Sequence, residues 1–230
     1  MRILVIGDLH GHDTWKQIIS ENVDNFDKVV FVGDYLDSRS IDLETQLKNL
    51  LEIIEYKKSN IDNTVLLIGN HDYHYFENID EQYPGYNFGY SFSFKDVLEQ
   101  AYKDGLINIT YKQGDYIFSH AGISKTWCLN NNINYDNVNL DEEINELFRY
   151  NRQAFMKMHG TSWYGDEIYQ SPIWIRPKSL YRDSVDLINV IGHTAKHSVK
   201  ITDKYILTDS LPYEYIILDT ETNNHEIKKL

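Results

Sequence analysis

Residues 1–11 read Met1-Arg2-Ile3-Leu4-Val5-Ile6-Gly7-Asp8-Leu9-His10-Gly11. The apolar run stops at a glycine and an aspartate, and it lacks the cleavage pattern of a signal peptide, so it reads as a buried strand. Two later stretches end the same way: Lys28 to Val32 runs into Gly33-Asp34, and Thr64 to Ile68 into Gly69-Asn70. Between them, Trp15 to Glu21 reads as a short helix. Leu43, Leu47, Leu50, Leu51 and Ile54 recur at helical spacing and predict a longer one.

Tyr73 to Phe94 is aromatic, contains Pro84 and several glycines, and lacks a period; it reads as a long loop at the strand-end rim. A helix around Lys95 to Tyr102 follows, then a strand from Asp115 to Ser119 that ends at His120. Asp141 to Met158 reads as one amphipathic helix with Ile144, Leu147, Phe148 and Phe155 inward. Strands are expected near Leu187 to Ile191, Tyr205 to Leu207, Tyr213 to Leu218 and Glu226 to Lys229. Strand-helix alternation followed by crowded strands predicts an α/β protein with more than one sheet. No repeat or Pro/Ser-rich linker divides residues 1–230, which suit a single domain.

Composition limits the function. Hydrophobic residues make up 42% of the chain, enough for a sizeable core, and no apolar run reaches the roughly 18 to 20 residues of a membrane span. The net charge of -13 opposes a broad phosphate-tracking surface, so nucleic acid is not the expected partner. A single cysteine, Cys128, cannot form an intramolecular disulfide; it reads as a packing residue in a reducing, cytoplasmic setting. Oligomeric state leaves no mark on the sequence.

Asp8, Asp34, Asn70, His120 and His193 each follow an apolar strand. Loops beyond the carboxyl ends of strands gather at one rim, where ligands bind. Asp8 and His10, two apart, point the same way on an extended segment and can share one ion. Asp34 can bridge two ions through its two carboxylate oxygens. On this reading Asp8, His10 and Asp34 hold one ion, and Asp34, Asn70, His120 and His193 hold the other. Each residue alone is as well explained by a surface or packing role; the argument rests on their coincidence. Mixed nitrogen and oxygen donors favour Mn, Fe or Zn over Ca, with Mn the first expectation. Two divalent cations, two carboxylates and a bridging hydroxide leave one positive charge, a field suited to a phosphate monoester, and such an ion pair can both generate the nucleophile and clamp the phosphoryl oxygens. His71 could then serve as general acid, held by Asp37. The competing use of Asp37 is as a cap for the helix that follows it.

The ordered motifs GDLHG, GDYLD, GNHD, SHAG and GHT, from Gly7 to Asp209, resemble those of the calcineurin-like metallophosphoesterases, particularly compact bacterial and phage members of the phosphoprotein phosphatase branch. The resemblance implies two β-sheets packed as a sandwich and flanked by helices, with a dinuclear centre at one rim. It also implies two phosphate-binding arginines. One resembles Arg176 in the segment Ser171 to Arg176. The other is usually part of Asp-Arg-Gly, where this chain has Asp37-Ser38-Arg39; Arg39 either reaches the phosphate from a shifted backbone or points to solvent.

A phosphomonoesterase acting on phosphoserine or phosphothreonine of proteins, or on a small phosphoester, is the function this resemblance implies first. Asp37 supports it, since the similar dinucleoside tetraphosphate hydrolases commonly lack an aspartate there. Cleavage of a dinucleoside polyphosphate is the alternative. A binding module on a decayed phosphatase fold would have lost ligands, yet all six positions are filled.

Overall fold

A computed structural model describes residues 1–160 and 165–230. The chain runs β1 (Arg2–Ile6), α1 (Thr14–Glu21), β2 (Lys28–Phe31), α2 (Leu43–Ser59), β3 (Thr64–Leu67), α3 (Asn70–Tyr73), α4 (Ser91–Lys103), β4 (Ile107–Asn108), β5 (Thr110–Gln113) and β6 (Tyr116–Ser119). It continues through α5 (Lys125–Asn130), α6 (Leu140–Tyr150), α7 (Pro177–Asp183), β7 (Ile188–Ile191), β8 (Lys200–Ile201), β9 (Tyr205–Leu207), β10 (Glu214–Asp219) and β11 (Asn224–Lys229).

The strands form two mixed sheets ordered β11-β10-β1-β2-β3-β4 and β5-β6-β7-β9-β8. β1, β2, β3 and β4 run parallel in the first, and β6, β7 and β9 run parallel in the second. Alternation along each strand decides what faces what. Ile3, Val5, Val30, Val32, Val65 and Leu67 pack against Tyr116, Phe118, Val190 and Ile206 between the sheets. Leu4, Ile6, Val29, Phe31 and Leu66 point the other way, into the helical layer with Trp15, Ile18, Leu50 and Ile53. Ile191 and Leu207 cover the outer face of the second sheet with Leu180 of α7. The result is the expected α/β sandwich of two sheets flanked by helices. No helix among the described residues is long and apolar enough to cross a membrane.

Several local expectations change. On α2, Leu51 points outward and is 45% exposed, while Ile53 takes a core position. Its start is capped by Asp42, whose carboxylate accepts from the Thr45 backbone N–H at 2.9 Å. Asp37 therefore does not cap this helix. The loop expected over 73–94 is shorter: Tyr73 ends α3, and α4 begins at Ser91. The helix expected from Asp141 to Met158 stops at Tyr150 and gives way to a 3-10 turn, Arg152–Phe155. That turn aims Arg152 at buried Glu99 as a bidentate pair and lays its guanidinium over Phe76, Tyr102 and Phe148. Phe155 stays in the core, carried by the turn.

Candidate metal centre

The parallel strands β1, β2 and β3 end at one rim and deliver Asp8, Asp34 and Asn70; β6 and β7 bring His120 and His193 from the second sheet. All five are buried. The chain turns sharply where it places them. Of the seven non-glycine residues with positive φ among those described, four are His10 (44°), Asp34 (55°), Asp37 (66°) and His193 (66°). The other three are asparagines, which tolerate this region. A left-handed backbone at a non-glycine residue costs about 1–3 kcal/mol and persists where the surroundings over-determine it. Asp8 and His10 consequently share the site through a turn, in which Leu9 and His10 donate their backbone N–H groups to the Asp34 carbonyl, and not through strand alternation. Gly69 and Gly192 are needed beside them: a Cβ at Gly69 would overlap the Asp34 carboxylate, and one at Gly192 would overlap that of Asp8.

Each histidine spends one ring nitrogen on a backbone carbonyl. His10 Nδ1–H donates to Leu36 (2.9 Å), His120 Nδ1–H to Val32 (2.9 Å) and His193 Nε2–H to Trp174 (3.1 Å). The remaining nitrogens face the acidic cluster. His120 Nε2 and His193 Nδ1 lie 3.0 and 2.8 Å from Asn70 Oδ1. Fixing the tautomer through the outer nitrogen is how proteins orient metal-binding imidazoles.

The two oxygens of Asp34 are not equivalent. Oδ1 accepts from the His71 backbone N–H at 2.8 Å. Oδ2 lies 3.8 Å from His10 Nε2 and 3.4 Å from His120 Nε2, so it faces both ligand sets. Asp34 is thus placed to serve both ligand sets. Burial raises the Asp34 pKa, but His120 and His71 outweigh it and hold this carboxylate well below its ordinary range. Burial, then Asp209 and Asp34, push Asp8 well above it. Asp209 is likewise raised, by burial and then by Asp34. Three carboxylates, Asp8 and Asp34 buried and Asp209 half-buried, stand among three oriented imidazoles and carry negative charge that divalent cations would neutralise. Asp8, Asp34 and His120 already offer donor atoms within 4.8 Å of one another. The donor set fits divalent metal ions.

His71 lies outside this set. Its Nδ1–H donates to Asp37 Oδ2 at 2.8 Å, and its ring stands edge-on to His10 at a centroid distance of 5.2 Å. Burial lowers the His71 pKa, yet Asp34 and the hydrogen bond to Asp37 raise it further, leaving it above the ordinary histidine value. Asp37 is held from three sides: His74 Nε2 is 2.8 Å from the same oxygen, and Tyr75 donates its hydroxyl to Oδ1 at 2.7 Å. His74 Nδ1 accepts from the Tyr83 backbone N–H, so its proton resides on Nε2, facing Asp37. The His74–Asp37 pair is close but poorly aligned as a hydrogen bond, and we read it as an electrostatic contact.

The 74–90 segment closes over this dyad. Gly85 has φ +115°, and a Cβ there would stand 2.7 Å from Asp37 Cβ and 3.1 Å from Oδ2. Gly85→Ala is expected to displace Asp37 and slow turnover by about tenfold, since small misplacements of catalytic groups are costly. Metal content should not change. Wild-type rates in the variant would show that the dyad tolerates the displacement.

Arg176, at the start of α7, donates from Nη1 to the His193 carbonyl (2.7 Å) and to Thr194 Oγ1 (3.0 Å), which sets it beside the ligand cluster. Burial lowers its pKa, while Asp8, Asp34 and Asp209 pull it upward. Arg39 is exposed and makes no hydrogen bond or ion pair among the described residues. Asp72 is structural. Its carboxylate accepts backbone N–H groups from Asp34 (2.7 Å), Tyr35 (2.9 Å) and Gly69 (2.9 Å), tying two ligand loops together. Cys128 is a buried thiol pushed up to about 12 by burial, as a packing residue should be.

Two residues at the site escaped sequence reading. Asp209 follows β9 and, by the strand-end rule that found Asp8 and Asp34, was open to detection. It lines a cavity of about 240 Å³ with Asp8, His10 and His12. His74 stands three residues after His71, the spacing that puts two side chains on one side of a helical turn.

Residues 1–197 match the calcineurin-like phosphoesterase family, and the chain belongs to that family. It is a phosphoesterase by that membership. Among solved structures, a cold-active protein-tyrosine phosphatase from a psychrophilic Shewanella species is similar over 98% of this chain and 80% of its own, with a TM-score of 0.62 and 17% identity. A metallophosphoesterase from Sphaerobacter thermophilus aligns over 100% of this chain and 88% of its own, with a TM-score of 0.49 and 14% identity. At 17% identity the likeness to the Shewanella structure is one of fold. No curated protein matches the sequence significantly.

Proposed function

We propose that the chain is a phosphomonoesterase acting on phosphoserine or phosphothreonine in proteins. The observation that carries the reading is the His71–Asp37 contact of 2.8 Å, outside the metal-ligand residues. Serine and threonine leave as alkoxides, which are more basic than a phenolate (pKa about 10) or a phosphate (second pKa about 6). Leaving groups of that basicity gain most from a positioned general acid. Splitting a dinucleoside polyphosphate expels a phosphate and needs none.

Asp8, His10 and Asp34 are assigned to one ion, and Asp34, Asn70, His120 and His193 to the second, with Mn the first choice and Fe or Zn compatible with the donors. When bound, the ions supply the nucleophilic water and neutralise phosphate charge. His71 Nε2 gives its proton to the departing oxygen, and Asp37 keeps that imidazole protonated and oriented. Arg176, as a phosphate clamp, would present its guanidinium from the place fixed by its hydrogen bonds to the His193 carbonyl and Thr194. Arg39 remains a weaker candidate for the same duty, since its side chain is exposed and unanchored.

A panel with added Mn tests the reading. It compares an aryl phosphate, a bis-aryl phosphate, a phosphoserine peptide, a phosphotyrosine peptide and a dinucleoside tetraphosphate. Turnover of the aryl phosphate and phosphoserine peptide is the expected result. Turnover of the tetraphosphate alone, or of the phosphotyrosine peptide to the exclusion of phosphoserine, would overturn it.

A further inference from the structure

Beside the candidate metal centre lies a second, larger groove of about 850 Å³. Its lining includes five cations, Arg176, Lys178, Arg182, Lys196 and Lys200, against one acid, Asp203. The whole chain has 35 acidic residues to 22 lysines and arginines, so this local balance inverts the global one. Lys178, Arg182, Lys196 and Lys200 are exposed and form no ion pair among the described residues. Some lysines elsewhere, Lys16, Lys58, Lys95 and Lys125, each meet a carboxylate instead. The lone acid stands by Tyr181, whose pKa it raises.

The cations come from separate elements. Lys178 and Arg182 are four apart on α7 and so share a helix face. Lys200 is on β8, with its ammonium over the Tyr205 ring at 5.7 Å, and Lys196 is in the segment before it. Buried Leu207 and Tyr205 also line the groove and give it an apolar patch among its charges. The groove also joins the site. Thr194 and Lys196 line it, while Ala195 between them lines the cavity of Asp8, His10 and Asp209. Arg176 lines the groove and reaches the His193 carbonyl.

We propose that this groove docks the acidic residues that flank the phosphorylated residue of a protein substrate, an inference that rests on the phosphoprotein reading above. A peptide entering from the metal centre past Arg176 would lay its carboxylates against four exposed cations that form no ion pair among the described residues. Unpaired cations beside a reaction centre raise the local concentration of anionic substrate and speed its capture. A nucleic acid fits less well, because a strand longer than the groove would run onto a surface of strong net negative charge.

The test uses the full chain with Mn and two phosphoserine peptides of equal length, one with glutamates on both flanks and one with glutamines. At low salt, kcat/KM for the glutamate peptide should exceed that for the glutamine peptide by about tenfold, through KM, and the gap should close as salt screens the charges. Lys196→Glu/Lys200→Glu should abolish the preference while leaving aryl phosphate turnover unchanged. Arg182→Glu, on an exposed helix face, gives the same readout if the double variant folds poorly. Fluorescence anisotropy of a labelled, unphosphorylated glutamate peptide measures docking without catalysis. Binding that glutamine for glutamate or either charge reversal leaves unaltered would overturn the proposal, as would displacement of the peptide by oligothymidylate or a dinucleoside tetraphosphate at lower concentration than by unlabelled peptide. Failure to hydrolyse any phosphopeptide would count against the phosphoprotein reading, while the anisotropy still decides the groove.

Discussion

Asp34→Asn should reduce phosphoester turnover by on the order of 10³-fold or more, the scale on which loss of one preorganised polar group is felt in an active site. The side chain keeps its shape, and asparagine is as much at home at a positive φ as aspartate, so the 55° backbone does not resist the change. An amide oxygen can still accept from the His71 backbone N–H, as Oδ1 does at 2.8 Å. What is lost is the charge at Oδ2, the atom that faces both His10 and His120. Because Oδ2 faces both histidines, both ion positions should weaken together. The purified variant should hold fewer than two metal ions per chain by elemental analysis, with the metal-free fold intact by circular dichroism. Two tightly held ions together with wild-type turnover would remove Asp34 from the centre of the site. Loss of the fold in the metal-free variant would instead make it a packing residue.

The rim was readable because one pattern repeats. An apolar strand that ends in glycine and then a polar residue marks Asp8, Asp34 and Asn70, and the structure brings all three to one place with His120 and His193. The pattern works because a strand buried on both faces must be apolar along its length, so the first polar residue after it is conspicuous. Reading failed where a local signal was ambiguous. α7 was not anticipated, although Pro177 occupies its first turn, where a missing N–H costs nothing. The apolar period that suggested one helix from Asp141 to Met158 continues through Phe155, but the backbone breaks at Asn151 so that Arg152 can reach Glu99. β4 and β8 are two residues long, too short for a period to register. No sequence rule foretold which oxygen of Asp34 faces the histidines, because that is set by the backbone of a different element, at His71 in α3.

His71→Asn should leave metal content unchanged and lower the rate on a phosphoserine peptide by about 10²- to 10⁴-fold, the usual worth of a positioned general acid. An aryl phosphate with a good leaving group should lose far less, because its phenolate departs without a proton. The contrast between substrates separates an acid from a residue that merely supports the fold, which would slow both alike. The pH profile carries the same logic. Burial pulls the His71 imidazolium down, but Asp34 and the Asp37 hydrogen bond hold its pKa above the ordinary value. With ions bound, the Asp34 charge is largely neutralised, so the Asp37 contact at 2.8 Å is the part that persists. A general acid works below its pKa, so the rate should fall as pH rises through it. Asp37→Asn removes the charge that stabilises the imidazolium, lowers that pKa and should move the alkaline limb of kcat to lower pH. Tyr75 and His74, which hold Asp37 in place, bear on the same limb only through that carboxylate. An alkaline limb unmoved by Asp37→Asn, or equal losses on both substrates in His71→Asn, would assign the proton to another group.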